Sequence, residues 1–555
     1  MLGQMMHQPL LIKNILAHSQ MAFPTTKIVS RTGDNSVQSH SIGDIARRSA
    51  QLAHALDALN VQAGDRVATL AWNDHRHLEL YYAVSGIGAV CHTINPRLPQ
   101  KQIAYVIEHA GDKLLFVDEG LAGLLEKVLP LVKNPPTIIV LAGTTSPLPP
   151  LNADADLLNY EVMIGDQADD FDWPDFDENT ASGMCYTSGT TGNPKGVLYS
   201  HRSTTLHAMQ VALSFANALH EGAREMQIVP LYHINAWGLP FTCPLVGASL
   251  IFAGPFLDGP SLFELMDSQQ VTSAWGVPTV LTAVLQEIKR AGRPPKGLNN
   301  ILVGGSAISL GFIDDYEDLG ITVNHAWGMT EMSPIGTQGS IPASSRHLPL
   351  EKQRHLKKRQ GRGIFGIDMK IVDQNGDEIA QDGKQSGELY VRSNTTAAQY
   401  YNNPEATAEA FHDAGWFRTG DIANIDATGN LLITDRAKDL IKSGGEWISS
   451  LEHETAIMTH KSIAQCAVIA VPHPKWDERP IIIAVPTSDF GDDKDSKVRA
   501  ALFEDVLSLL GVEFPKWQMP DALVLVDELP LTATGKISKL RLRQLYRDYF
   551  GDTNE

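Results

Sequence analysis

Residues 186–201 read YTSGTTGNPKGVLYSH, and the fold turns on how this stretch is interpreted. Four hydroxyl side chains, three glycines and one lysine fall between Thr187 and Val197. Such a loop offers backbone N–H groups and hydroxyls to phosphate oxygens, with the lysine supplying charge. Its spacing, Gly189-x-x-Gly192-x-x-Lys195, is not GxxxxGK[ST], so a P-loop fold is not implied. A small polar cluster also marks plain loops. The surrounding chain has to decide between the two.

Helical and strand patterns alternate on both sides of the loop. Residues 42–59 carry apolar side chains at helical spacing, 67–72 form a short apolar strand, and 77–85 begin another helix. Further strands are predicted at 113–117, 137–141, 249–252, 273–275 and 300–303. This alternation favours an α/β architecture with largely parallel sheets. After 387–392 the pattern turns to short strands and turns ending at 429–436. From about residue 439 a helix (450–459) and strands (466–471, 481–485) outline a compact C-terminal domain. A chain of 555 residues is long enough for more than one domain.

The formal net charge of -19 argues against nucleic acid as a partner. An anionic substrate must therefore be held by local lysines and arginines. Cys91, Cys185, Cys243 and Cys466 form no CxxC pair, which fits a reducing, cytoplasmic setting without disulfides or zinc. The N-terminus lacks the features of a signal peptide. The charge-free run 226–257 is broken by Pro230, Pro240, Pro244 and Pro255, so it reads as core or pocket wall and no transmembrane segment is expected. The basic stretch 350–362 reads as a solvated loop or helix, with a contact to ligand phosphates as the alternative.

YTSGTTGNPKG resembles the phosphate-loop signature of the acyl-adenylate-forming family: acyl-CoA synthetases, adenylation domains of peptide synthetases, and luciferases. Matching segments follow in the family's order: 230–237 (PLYHINAW), 304–307 (GGSA), 327–331 (WGMTE), 415–421 (GWFRTGD), 435–439 (DRAKD) and 534–536 (TGK). HAWGMTEMSP, IKSGGEWISS and VPHPKWDERP are most similar to the medium- and long-chain fatty acyl-CoA synthetases. The resemblance spans nearly the whole chain. It implies a large N-terminal domain (1–434) of parallel-rich sheets flanked by helices, with a β-subdomain. A hinge (435–438) would join this to a small, mobile α+β C-terminal domain (439–555).

The implied reaction has two steps. A carboxylate attacks the α-phosphate of ATP to give an acyl-adenylate and pyrophosphate; CoA then displaces AMP. Both steps concentrate negative charge, so cations and oriented donors should supply most of the catalysis. By resemblance, Thr187 and Glu331 would hold Mg²⁺, being hard oxygen ligands. Ser188, Gly189, Thr190, Thr191, Gly192 and Lys195 would cover the β- and γ-phosphates, and Thr330 the α-phosphate. Gly305, His325, Ala326 and Trp327 would enclose adenine, the indole being able to stack. Asp421, assisted by Arg436, would accept from the ribose hydroxyls. Lys536 would bridge carboxylate and α-phosphate. Lys438 marks the hinge, whose swing would bring residues 443–447 over the adenylate, with Lys442, Gly444, Gly445 and Trp447 lining the nucleotide and the pantetheine path.

His233 and Trp237 border the acyl pocket, the tryptophan gating a tunnel in the long-chain branch. Peptide-synthetase domains carry an aspartate after the aromatic position; Ile234 stands here, so an apolar acid fits better than an α-amino acid. Medium- or long-chain fatty acids are the first expectation, 3-methylthiopropionate the second, and loading of a carrier protein the third. A non-enzymatic nucleotide or acyl-lipid binder is the reading from another class, against which Lys536, Glu331 and Thr187 stand. ATP, Mg²⁺, CoA and a carboxylic acid are the expected small molecules, and a homodimer is one assembly open to the chain.

Overall fold

The computed structural model describes residues 1, 3–145, 148, 157–187, 193–412, 415–444, 446–487, 490, 496–532 and 536–550. Its N-terminal half is built on two sheets. The first has seven strands, ordered Leu157–Asn159, Thr137–Leu141, Asp112–Asp118, Arg66–Leu70, Val90–Thr93, Ala181–Thr187 and Lys195–Ser200. All neighbours are parallel except the last two, which form an antiparallel hairpin. Strands such as TIIVL at Thr137–Leu141 are buried along nearly their whole length, as a sheet covered on both faces requires. The helix predicted over 42–59 occupies Ile42–Ala58, and begins with a capping box between Ser41 and Asp44.

The second sheet has nine strands, its centre made of the parallel strands Ser249–Phe252, Arg224–Gln227, Ser273–Gly276, Asn300–Val303 and Thr322–Gly328. In open parallel sheets, ligands bind beyond the carboxyl ends of the strands. The segments 230–237, 304–307 and 327–331 lie at or just beyond those ends. One crest therefore collects three of the sequence signals.

A five-stranded sheet including Gly387–Arg392, Trp416–Ile425 and Leu431–Arg436 forms the β-subdomain. Beyond it, Ile463–His473 and Asp477–Pro486 form a long hairpin in another five-stranded sheet, packed on helices Ser450–Ile457 and Ser496–Leu510. The hairpin outruns the predicted 466–471 and 481–485 because its polar ends stay in the ladder down to His473 opposite Asp477. Apolar patterning reports only the buried middle. In the basic stretch, Leu350–Lys357 is a helix whose Arg354 and Lys357 pair with Asp314 and Glu317. The four cysteines are buried and unpaired. Among the described residues no helix is long and apolar enough to cross a membrane.

Candidate active site

The crest opens into a cavity whose walls include Val229, Tyr232, Trp237, Gly305, Ala326 and Trp327. His233 and Lys536 also line it, so the second expected domain reaches into the first.

The opening stretch occupies a hairpin at the edge of the seven-stranded sheet, with Thr187 directly opposite Lys195. Residues 188–192, among them Ser188, Gly189, Thr190, Thr191 and Gly192, lie outside the described residues. The ladder holds the two ends of the loop together, so Thr187 and Lys195 are fixed relative to each other. Tyr199, on the returning strand, donates its hydroxyl to the Thr330 carbonyl at 2.7 Å, tying the hairpin to the short helical turn Thr330–Met332.

Glu331 on that turn is buried and accepts the Tyr400 hydroxyl on Oε1 at 2.6 Å. Burial pushes its carboxyl above the usual range, with the Tyr400 bond opposing. The Lys195 ammonium sits over the Tyr400 ring, 4.9 Å from its centroid, and Arg436 and Lys195 act on Glu331 at longer range. The site is thus a buried carboxylate with only distant compensation, which an added cation would relieve. Tyr199 and Tyr400 were not anticipated. Neither lies in a periodic pattern, and only the fold brings them to Glu331.

Asp421 spends both oxygens inside the protein. Oδ2 accepts the Trp327 indole N–H at 2.8 Å, and Oδ1 lies 3.1 Å from Arg436 Nε across a strand pair. A carboxylate has about four acceptor directions, so a ribose can still be received. Trp327 is pinned by its edge and packed over Gly336, where an added Cβ would come within 3.1 Å of the ring. His325 is buried, bonded through Nδ1 to the Lys358 carbonyl, and is not among the cavity-lining residues. Gly305 has φ +85° and faces Lys536, whose Cε lies 3.7 Å from the position a Cβ would take. A side chain there would meet both backbone strain and the lysine.

Burial, then Arg436, pushes the Lys536 ammonium down to about 8. Crowding by protein, then Arg436, does the same for Lys438. His233 is held down at about 3, by burial and then by Lys536. Arg436, Lys438 and Lys536 form a cationic cluster suited to phosphates.

Trp237 lines the cavity and packs on Gly304, its ring 3.0 Å from where a Cβ on Gly304 would stand. Residues 234–237 all have positive φ, between 47° and 57°. Left-handed backbone costs roughly 1–2 kcal/mol per non-glycine residue, and such strain concentrates at functional sites. Lys442 and Trp447 stand elsewhere, on the small domain's hairpin Ile441–Ser443 and Glu446–Ile448, where Trp447 is 43% exposed. Gly444 needs its φ of +61° there and donates to the Trp476 carbonyl at 2.9 Å. Gly445 lies outside the described residues.

A parallel-sheet crest, a hairpin-borne hydroxyl loop and a lysine delivered from a second domain together make the fold of adenylate-forming enzymes. The anthranilate CoA ligase AuaEII, solved with anthranoyl-AMP, superposes with a TM-score of 0.84 at 22% identity, covering 98% of this chain and 99% of that one. The chain belongs to the AMP-binding enzyme family: the family model matches residues 17–401 and that of the AMP-binding enzyme C-terminal domain residues 452–536. It is 44% identical to the 3-methylmercaptopropionyl-CoA ligase of Ruegeria lacuscaerulensis, covering 99% of each chain. It is 43% identical to the medium-chain-fatty-acid–CoA ligase of Ectopseudomonas oleovorans, covering 99% of this chain and 98% of that one. The protein is an acyl-CoA ligase of the acid–thiol class, with ATP and CoA as substrates.

Proposed function

We propose that the preferred acid is a compact apolar one, of the size of a short thioether acid or a medium-chain fatty acid. The observation that carries this reading is the bulk of Trp237 in the cavity wall, packed against Gly304. Further into the sheet stand buried polar side chains: Gln227, opposite Trp275, and Glu225, opposite Ser273. Buried polar groups of this kind are an unfavourable setting for a long alkyl tail. The apolar lining and the strained 234–237 segment support a second reading, in which Trp237 turns aside for longer chains. A panel from propionate to palmitate with 3-methylthiopropionate, compared by kcat/KM at saturating CoA, decides between them. A maximum at palmitate overturns the first reading.

Trp237→Ala is expected to move that maximum toward longer acids while leaving the KM for ATP nearly unchanged. Each added methylene that finds apolar contact is worth about 0.8 kcal/mol. An unchanged chain-length profile with a lower Tm makes Trp237 a packing residue only.

In this reading Thr187 and Glu331 would hold Mg²⁺, as hard oxygen ligands suit this ion. Among the described residues no cluster of three or more His, Cys, Asp or Glu offers an ion a complete protein cage. The ion supplies charge neutralisation at the phosphates. Lys195 orders the loop, Thr330 meets the α-phosphate, Gly305, Ala326 and Trp327 border adenine with His325 behind them, and Asp421 with Arg436 receives the ribose. Lys536 bridges carboxylate and α-phosphate, a role supported by its place in the cavity wall beside Gly305. Rotation about 435–438, at Lys438, then withdraws it and brings Lys442, Gly444, Gly445 and Trp447 over the adenylate for CoA. Free buried cysteines support a cytoplasmic location.

A further inference from the structure

Acyl transfer to CoA releases the thiol proton. A free thiol ionises near pH 8.5, so an enzyme working at neutral pH gains by accepting that proton locally. Beside the acyl cavity lies a second, much smaller one, lined by His92, Leu98, Val106, Tyr186, Tyr232 and His233 among others. Tyr232, His233 and Asn95 line both, so they form the partition between the two spaces.

His92, on strand Val90–Thr93, is fully buried. Its Nδ1 lies 2.9 Å from each carboxylate oxygen of Asp112, the buried first residue of strand Asp112–Asp118. A carboxylate at Nδ1 keeps the proton there and leaves Nε2 as an acceptor. That Nε2 is buried and has no hydrogen-bond partner among the described residues, while its ring lines the small cavity. An unpaired buried acceptor is costly, and a polar space of this size suits one ordered water. The other groups around the pair are Tyr186, whose ring centroid is 5.1 Å from that of His92, and His109, bonded through Nδ1 to the Tyr186 hydroxyl at 2.7 Å. Burial raises the Asp112 carboxyl, opposed by His92 and, from the neighbouring strand, by Arg66.

We propose that the His92–Asp112 pair is the proton sink of the thiol-transfer step, reached through His233 and a water bound in the small cavity. The CoA sulfur forms its bond to the acyl carbon, and the bond from that carbon to the AMP oxygen breaks, AMP leaving with the electron pair. The thiol proton passes to His233. The water hands a proton on to His92 Nε2, and Asp112 balances the imidazolium until it is returned to solvent. His92 touches no substrate atom; it is a positioning residue acting through His233. The timing rests on the domain swing proposed above: burial and then the Lys536 ammonium depress His233, and withdrawal of the lysine removes the second of these when CoA arrives.

The test is thioester formation from synthetic acyl-adenylate and CoA by the full-length protein, followed against pH beside CoA-independent pyrophosphate release. In His92→Gln the thioester rate at pH 7 is expected to fall about 100-fold. It should recover toward wild type by about pH 9, where the thiol ionises unaided. Pyrophosphate release should change by less than about twofold, within the scatter expected for a residue outside that step. Asp112→Asn should show the same pattern with a smaller loss. A wild-type profile in His92→Gln overturns the proposal, as does an equal loss in both half-reactions that high pH does not restore. Should neither variant fold, the wild type still decides: a thioester step lacking any ionisation below about pH 8 rules the sink out. The Lys536→Ala separation tests the domain swing independently.

Discussion

Lys536→Ala is expected to abolish pyrophosphate release from ATP and acid in the absence of CoA, yet to leave thioester formation from supplied acyl-adenylate near the wild-type rate. The physical basis is where the ammonium stands. It lines the cavity against Gly305, within the field of Asp421, Arg436 and Lys438. There it offsets charge that builds between carboxylate and α-phosphate, and removing one such group costs on the order of 10²–10³ in rate. Thioester formation builds its charge without Lys536 beside it, because in the proposed cycle the lysine has already left. Because burial and Arg436 hold its ionisation near 8, the protonated form is complete well below that pH. Adenylation, read as kcat/KM, should therefore decline as pH rises through about 8. The bound triphosphate favours the cation, so the decline in kcat should come at higher pH. A variant that loses both half-reactions equally, or neither, sinks the alternating-domain account.

Glu331→Gln should lose most activity while keeping the fold. The change conserves shape and removes one charge from a buried position that Tyr400 holds by a single hydrogen bond to Oε1. With a weaker magnesium ligand, turnover should fall by about 10² or more. The Mg²⁺ concentration for half-maximal rate should rise, while Tm stays level or increases slightly, because an under-compensated buried charge has been removed. Near-normal turnover at limiting Mg²⁺ would remove Glu331 from the metal site. Should turnover fall with an unshifted Mg²⁺ dependence, Glu331 would instead be an anchor for Tyr400 and the hairpin.

The local chemistry of this protein was readable along the chain. The hydroxyl loop at 187–195, the carboxylate of WGMTE, the aspartate of WFRTGD and the lysine of TGK each carry their residue type in a short ordered segment. Strand positions such as 249–252 and 300–303 followed from apolar runs, because a sheet covered on both faces leaves little choice of residue. Pairing was another matter. That Tyr400 meets Glu331, that Trp327 and Arg436 share Asp421, and that Asp112 backs His92 are contacts across 69, 94, 15 and 20 positions. No periodicity encodes separations of that kind. Depth was equally hidden: His325 and Trp327 sit two apart in one segment, yet only the indole lines the cavity. Residue type determines what a side chain can do, and that is local information. Which charge or donor stands beside it, and how much water reaches it, comes from the packing of distant strands, and here that decided which lysines are held near 8 and which buried histidine nitrogens have no partner among the described residues.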